Sequence, residues 1–157
     1  MAEALRPEAP GETAQPWSLR PATAQDLPFL MQLRLQTMQA YLLAAGVDLN
    51  EAEHLAHIQH RFELAQILML DDTPAGLVKL AREPAGWELL QVQIAPSLQG
   101  RGLGQALIEA LIDQSREARV PLRLHVLKQN PARHLYERLG FEQVGEDALE
   151  YEMQLRP

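Results

Sequence analysis

The stretch Gln99-Gly100-Arg101-Gly102-Leu103-Gly104 constrains this chain more than any other. It follows an apolar run, Leu89 to Ala95, and opens a segment in which Leu103, Leu107, Leu111 and Ile108, Ile112 recur at helical spacing. A strand that ends in a glycine-rich turn and feeds a helix presents bare backbone N–H groups to an anion. The helix N-terminus adds about half a positive elementary charge there. Lacking Cβ atoms, Gly102 and Gly104 let a pyrophosphate approach the main chain, and Arg101 adds a cation. The pattern predicts a site for a phosphorylated cofactor built from Gln99, Gly100, Arg101, Gly102, Leu103, Gly104 and Gln105.

Two common phosphate loops are excluded. The turn lacks the Gly-Lys-Ser/Thr ending of a nucleotide P-loop. Counting from Gly100 puts Gln105 where a dinucleotide loop needs its third glycine. What it matches is Q-x-x-G-x-G. Downstream, Leu122 to Leu127 reads as a strand and Asn130-Pro131-Ala132-Arg133-His134-Leu135-Tyr136 begins a helix, with proline in the first turn. Leu135 and Leu139 share a face and Gly140 stops the helix before Phe141. This second stretch matches N-x-A-x-x-L-Y-x-x-x-G-F. Together the two resemble the signatures of the GNAT N-acetyltransferases, from roughly Ala75 to Phe141 and more loosely from Trp17 onward.

The resemblance implies an α/β (α+β) fold, a mixed central β-sheet with splayed central strands and helices on both faces. It implies acetyl-CoA as cofactor, its pantetheine arm lying along the main chain of Val92, Gln93 and Ile94, whose N–H groups also hold a developing oxyanion. The same Val92 and Ile94 side chains read as core residues. Tyr136 corresponds to the tyrosine beside the cofactor sulfur; a phenol with an ordinary pKa near 10 is protonated at pH 7 and serves as general acid. Glu88 stands at the spacing of a base glutamate, with an ordered water as the rival. Asn130 contacts the pantetheine or caps the helix. Ala132 and Arg133 lie on the cofactor side, and Lys128 and Arg133 are candidates for its phosphates.

The activity implied is transfer of an acetyl group to a primary amine, on a small molecule or a peptide, by direct attack in a ternary complex. With no cysteine, a cysteine acyl-enzyme is excluded. A non-catalytic acyl-CoA sensor, and an enzyme for protein N-termini or longer acyl chains, are the alternatives. A homodimer is compatible with the resemblance. For the acceptor, Tyr41, Asp48 and Glu51 are candidates, with one of His54, His57 and His60. Three histidines at steps of three fan around a helix and converge poorly on a metal, so no metal site is expected.

A chain of 157 residues suits one domain with a sizeable core. Residues 1–16, rich in Pro, Ala, Glu and Gly, read as an unstructured tail ahead of a domain over 17–157. No apolar run reaches the roughly 20 residues of a membrane span, and there is no signal-peptide pattern, so a cytoplasmic address is expected. The formal net charge of −7 argues against nucleic acid. The periodicities predict a strand from Ser18, capped into a helix by Thr23 or Asp26, with Leu27, Leu30, Met31, Arg34 and Leu35 on its apolar face. After a break at Gly46, a helix from Asn50 is expected to bury Leu55, Ile58 and Phe62. A hairpin turning at residues 71–74, a third strand from Trp87 and a closing antiparallel pair complete the order β, αα, βββ, α, β, α, ββ.

Overall fold

The computed structural model describes residues 17–157; the tail expected over residues 1–16 lies outside the described residues. The elements follow the expected order: β1 (Trp17–Pro21), α1 (Leu27–Ala44), α2 (Glu51–Gln59), β2 (Ala65–Leu70), β3 (Thr73–Glu83), β4 (Gly86–Ile94), α3 (Leu103–Glu117), β5 (Leu122–Leu127), α4 (Ala132–Arg138), β6 (Glu142–Glu146) and β7 (Glu150–Leu155). They build one seven-stranded sheet in the order β1-β2-β3-β4-β5-β7-β6. β1 to β4 pair in succession as antiparallel neighbours, β5 joins β4 in parallel, and β7 inserts antiparallel between β5 and β6.

Helices cover both faces, which is why β3 is buried continuously from Ala75 to Ala81. On one face α1 and α2 set Leu30, Leu33 and Ile58 against Ile67 and Leu77. On the other, α3 sets Leu103, Leu107, Ile108 and Leu111 against Leu68, Val78, Leu80 and Leu124. Sequence neighbours such as Ile67 and Leu68 therefore serve opposite cores, the two-residue period of a strand. Burying a leucine or isoleucine fully is worth roughly 1.5–3 kcal/mol, so these two layers hold the sheet between them.

Several local expectations shift. On α1 it is Leu33, not Leu35, that meets the sheet; Leu35 is 38% exposed. Leu30, Leu33, Arg34 and Leu42 form the buried stripe, and Arg34 lies within it at 4% exposure. Asn50 caps α2 by accepting from the Glu53 N–H at 2.8 Å. The helix ends at Gln59, however, and Phe62 belongs to a separate 3-10 turn after Arg61, whose φ is +51°. His54, expected at a polar flank, is buried. The hairpin turn is shorter than expected: Thr73 and Pro74 already pair with β2, leaving Asp71 and Asp72 as the turn, with Asp71 at φ +54°.

The sheet is interrupted where it matters most. The register passes from Leu80↔Leu89 to Lys79↔Gln91, leaving Leu90 as a β-bulge. On the other side β4 pairs with β5 only from Trp87↔Leu122 to Leu89↔Leu124, although both strands continue beyond. β4 and β5 are thus splayed from the bulge onward, as the resemblance implied. Cross-strand partners share a face, so the bulge leaves Gln91 and Gln93 on the α1/α2 side with Lys79 and Leu77. Val92 and Ile94 point to the α3 side.

Candidate active site

Two cavities flank the splay. The first, about 370 Å³, runs along the α3 side between Val92, Ile94, Gln99, Gly104, Ile108 and the start of α4 at Pro131 and Ala132, and is closed by Thr37, Met38 and Tyr41 of α1. The second, about 220 Å³, opens on the other side between Arg34, Leu42, His57, Gln91, His125 and Glu150. Met38, Val92, Gln93, Asn130 and Tyr136 line both. A molecule in the first cavity and one in the second would meet at these residues.

The turn ahead of α3 has the conformation its glycines suggested. Gly100 and Gly102 take φ of +81° and +79°, where L side chains are strained, and an added Cβ at either would meet open space. Gly104 sits in the first turn of α3, where a Cβ would stand 3.6 Å from Ile94 and narrow the first cavity. The side chain of Gln99 donates to the Ile94 carbonyl at 3.0 Å, tying the turn to the end of β4. Leu103 is buried, so only its backbone is available to a ligand. Arg101 and Gln105 are exposed at the rim of the turn. Open glycines, a helix N-terminus and a stretch of β4 left unpaired on its β5 side together fit a pyrophosphate with an amide-bearing arm.

Tyr136 stands where the two cavities join. Its ring is held edge-on by Phe141, with centroids 5.7 Å apart, and burial pushes its phenol up to about 12. Asn130 accepts from the Ala132 N–H at 2.9 Å, opening α4, and also lines both cavities; the two readings of this residue coincide. Pro131 precedes α4 as its cap, and Gly140 ends the helix at φ +106°.

Other candidates lie elsewhere. Arg133 stacks on Tyr151 at 5.0 Å, and Lys128 pairs with Glu146 at 2.9 Å; neither lines a cavity. Glu88 is outside both cavities and lies 3.8 Å from His125 Nδ1. Of the acceptor candidates, Tyr41 lines the first cavity and His57 the second, whereas Asp48 and Glu51 line neither. Among the described residues no group of three or more His, Asp or Glu side chains is gathered as metal ligands. The sequence reading did not single out Arg34, Gln91, His125 and Glu150, which line the second cavity. Arg34 had been read as one position of an apolar stripe, and a lone arginine in such a stripe was the available signal. His125 could have been found from the alternation Leu122, Leu124, Val126, which turns it to the other face.

The second cavity is polar and incompletely satisfied. The Oε1 atoms of Gln91 and Gln93 are buried without partners. Desolvation raises the Glu150 carboxyl, reinforced by Asp147 and opposed by His125. Desolvation also lowers His57, with Arg34 as the next cause.

The family model for the acetyltransferase (GNAT) family matches residues 27–141. The chain belongs to the GNAT acetyltransferases. It is 44% identical over 57 residues to the [Ribosomal protein bS18]-alanine N-acetyltransferase of Haemophilus influenzae, covering 36% of this chain and 39% of that protein. It is 35% identical over 72 residues to the N-alpha-acetyltransferase RimI of Mycobacterium tuberculosis, covering 45% of each. The matches thus span less than half of these curated relatives. The fold is similar to an acetyltransferase from Thermus thermophilus (TM-score 0.71, 22% identity, 90% of this chain and 97% of that one). It is also similar to the PaiA N-acetyltransferase from Thermoplasma acidophilum in complex with coenzyme A (TM-score 0.68, 19% identity, 90% and 99%). The matched family is one of acetyltransferases, and the Thermoplasma neighbour is a complex with coenzyme A. No helix among the described residues is long and apolar enough to cross a membrane.

Proposed function

We propose that the protein transfers an acetyl group from acetyl-CoA to a primary amine by direct attack in a ternary complex. The single observation that carries this reading is the position of Tyr136, shared by a glycine-rimmed cavity and a polar one on opposite sides of the splay. The backbone of Gly100 to Gly104 and the free edge of Val92, Gln93 and Ile94 would hold the cofactor, with Asn130 and Ala132 across from them. When bound, acetyl-CoA supplies an activated acetyl thioester and a thiolate leaving group.

The chain's own groups then divide the work. A phenol near 12 stays protonated across the working range, so Tyr136 Oη offers a hydrogen to the departing sulfur. An alkyl thiol is ordinarily near 8.5, a stronger acid, so Tyr136 acts first by hydrogen-bond donation. Gln91 and Gln93 Oε1 are ready to accept from the incoming amine. His125 and Glu150 line the acceptor cavity and take the proton the amine loses. Glu88 and Glu152, at 3.8 and 4.0 Å from the two imidazole nitrogens, flank His125 and act through it. Glu88 as a base in direct contact with the amine is less well supported, since it lines no cavity.

The two curated relatives favour a second reading of the acceptor, a protein N-terminus. Thiol release from acetyl-CoA across a panel of small amines, polyamines, amino acids and N-terminal peptides tests both. The chain has no cysteine, so a thiol reagent reads product alone. Release with an acceptor, abolished in Tyr136→Phe, supports the reading; acetyl-CoA binding with no release across the panel leaves the sensor alternative.

A further inference from the structure

Arg34 is the most unusual residue in the acceptor cavity. It is 4% exposed, on the buried stripe of α1, and lines the cavity with His57, Gln91 and Glu150. A guanidinium carries five donors and is charged at all accessible pH values. Among the described residues its side chain makes one hydrogen bond, from Nε to His54 Nδ1 at 2.9 Å, and no carboxylate stands within ion-pair distance. Glu150 lines the same cavity but forms no ion pair with it. Desolvation alone governs Arg34 and lowers its pKa. Buried charges are ordinarily paired, and the planar fork of arginine matches a carboxylate. The same cavity holds amine-side groups of the opposite kind, the orphaned Gln91 and Gln93 oxygens and the Glu150 carboxyl.

We infer that the acceptor is an amine that also bears a carboxylate, which Arg34 receives while the amine faces Gln93 and Glu150. This rests on the acetyl-transfer reading above and narrows its acceptor. The carboxylate is either the α-carboxylate of a free amino acid or an acidic side chain next to the amine of a peptide N-terminus. Both place opposite charges within one small ligand, as the cavity does.

The test compares kcat/KM, expressed per unprotonated amine, for paired acceptors in wild type and in Arg34→Met, with Arg34→Lys as the conservative variant. One set pairs amino acids with their carboxamides; the other pairs N-terminal peptides having Glu or Asp at the second position with their Gln or Asn counterparts. The acid form is expected to lead in one set by roughly 10- to 100-fold, the worth of hydrogen bonds to a charged group. In Arg34→Met that ratio collapses to about 1, and in Arg34→Lys it is partly restored. Comparing ratios cancels differences in amine basicity, and a purely structural Arg34 would lower acid and neutral acceptors together. The set that responds identifies the source of the carboxylate. Equal use of acid and neutral forms, or a ratio that Arg34→Met leaves unmoved, overturns the inference while acetyl transfer stands. Turnover of neither set, with acetyl-CoA bound by calorimetry, also overturns it. Absence of acetyl-CoA binding sinks the acetyl-transfer reading itself.

Discussion

The ammonium of Lys79 donates to the Ile58 carbonyl at 2.7 Å, and the same nitrogen reaches the carbonyls of His57 and His60. A fully buried lysine of β3 thus satisfies the last carbonyls of α2, which have no partners within the helix, and fastens the helix carrying His57 to the sheet.

That fastening predicts an alkaline signature. Burial brings Lys79 down to about 8 from an ordinary 10.5. Between those values the unfolded chain binds the extra proton, so stability from this group rises with pH from about 8 to 10.5, by up to about 1.4 kcal/mol per pH unit. Urea midpoints across that window should climb in wild type and lose the slope in Lys79→Met. A slope unchanged in the variant contradicts the assignment.

On the acid side, His54 carries the opposite trend. It accepts from Arg34 through Nδ1, and burial followed by the Arg34 charge lowers its pKa from 6.5. The unfolded chain takes up the proton first, so stability declines as pH falls through about 6.5 and levels only below the folded value. His54→Gln should flatten this decline. Thermal midpoints between pH 7.5 and 5 check it.

Tyr136→Phe removes the hydroxyl and keeps the ring against Phe141. Its kcat should fall roughly 10²- to 10⁴-fold, with acetyl-CoA affinity and melting temperature little changed. A loss confined to KM would remove Tyr136 from the chemistry.

Gly76 faces Gln93 across the β3–β4 ladder so closely that a Cβ would strike the Gln93 carbonyl. Gly76→Ala should therefore displace β4 at the splay, destabilising the fold by about 1–3 kcal/mol and weakening acetyl-CoA binding. Calorimetry and denaturant unfolding would show both together; full affinity in the variant would mean that β4 yields without consequence.

Much of this molecule was legible in the sequence because two periodicities and two glycine positions carry it. The α3 stripe, the positive φ of Gly102 and the Gly140 stop follow from local rules; of the cofactor residues read from the sequence, Val92, Gln93, Ile94, Gln99, Gly104, Asn130, Ala132 and Tyr136 line the first cavity. The second cavity was less legible. Arg34, Gln91 and Glu150 come from α1, β4 and β7, and no local spacing relates them. The bulge at Leu90 changes which residues of β4 share a face, a shift invisible without the β3 register. His54 illustrates the same limit: a histidine beside an apolar stripe looks solvated until Arg34, twenty residues earlier, is seen to lie on it. Arg133 and Lys128, read as candidates for the phosphates, respectively stack on Tyr151 and pair with Glu146, and line neither cavity.

The short β4–β5 seam, three residue pairs from Trp87↔Leu122 to Leu89↔Leu124, gives the sheet a mechanical weak line. Beyond it, Val92 to Ile94 are held only by β3, and Val126 and Leu127 only by β7. A cofactor arm laid into that gap acts as a suture, and the two halves of the sheet would resist pulling apart as one body only while it is there.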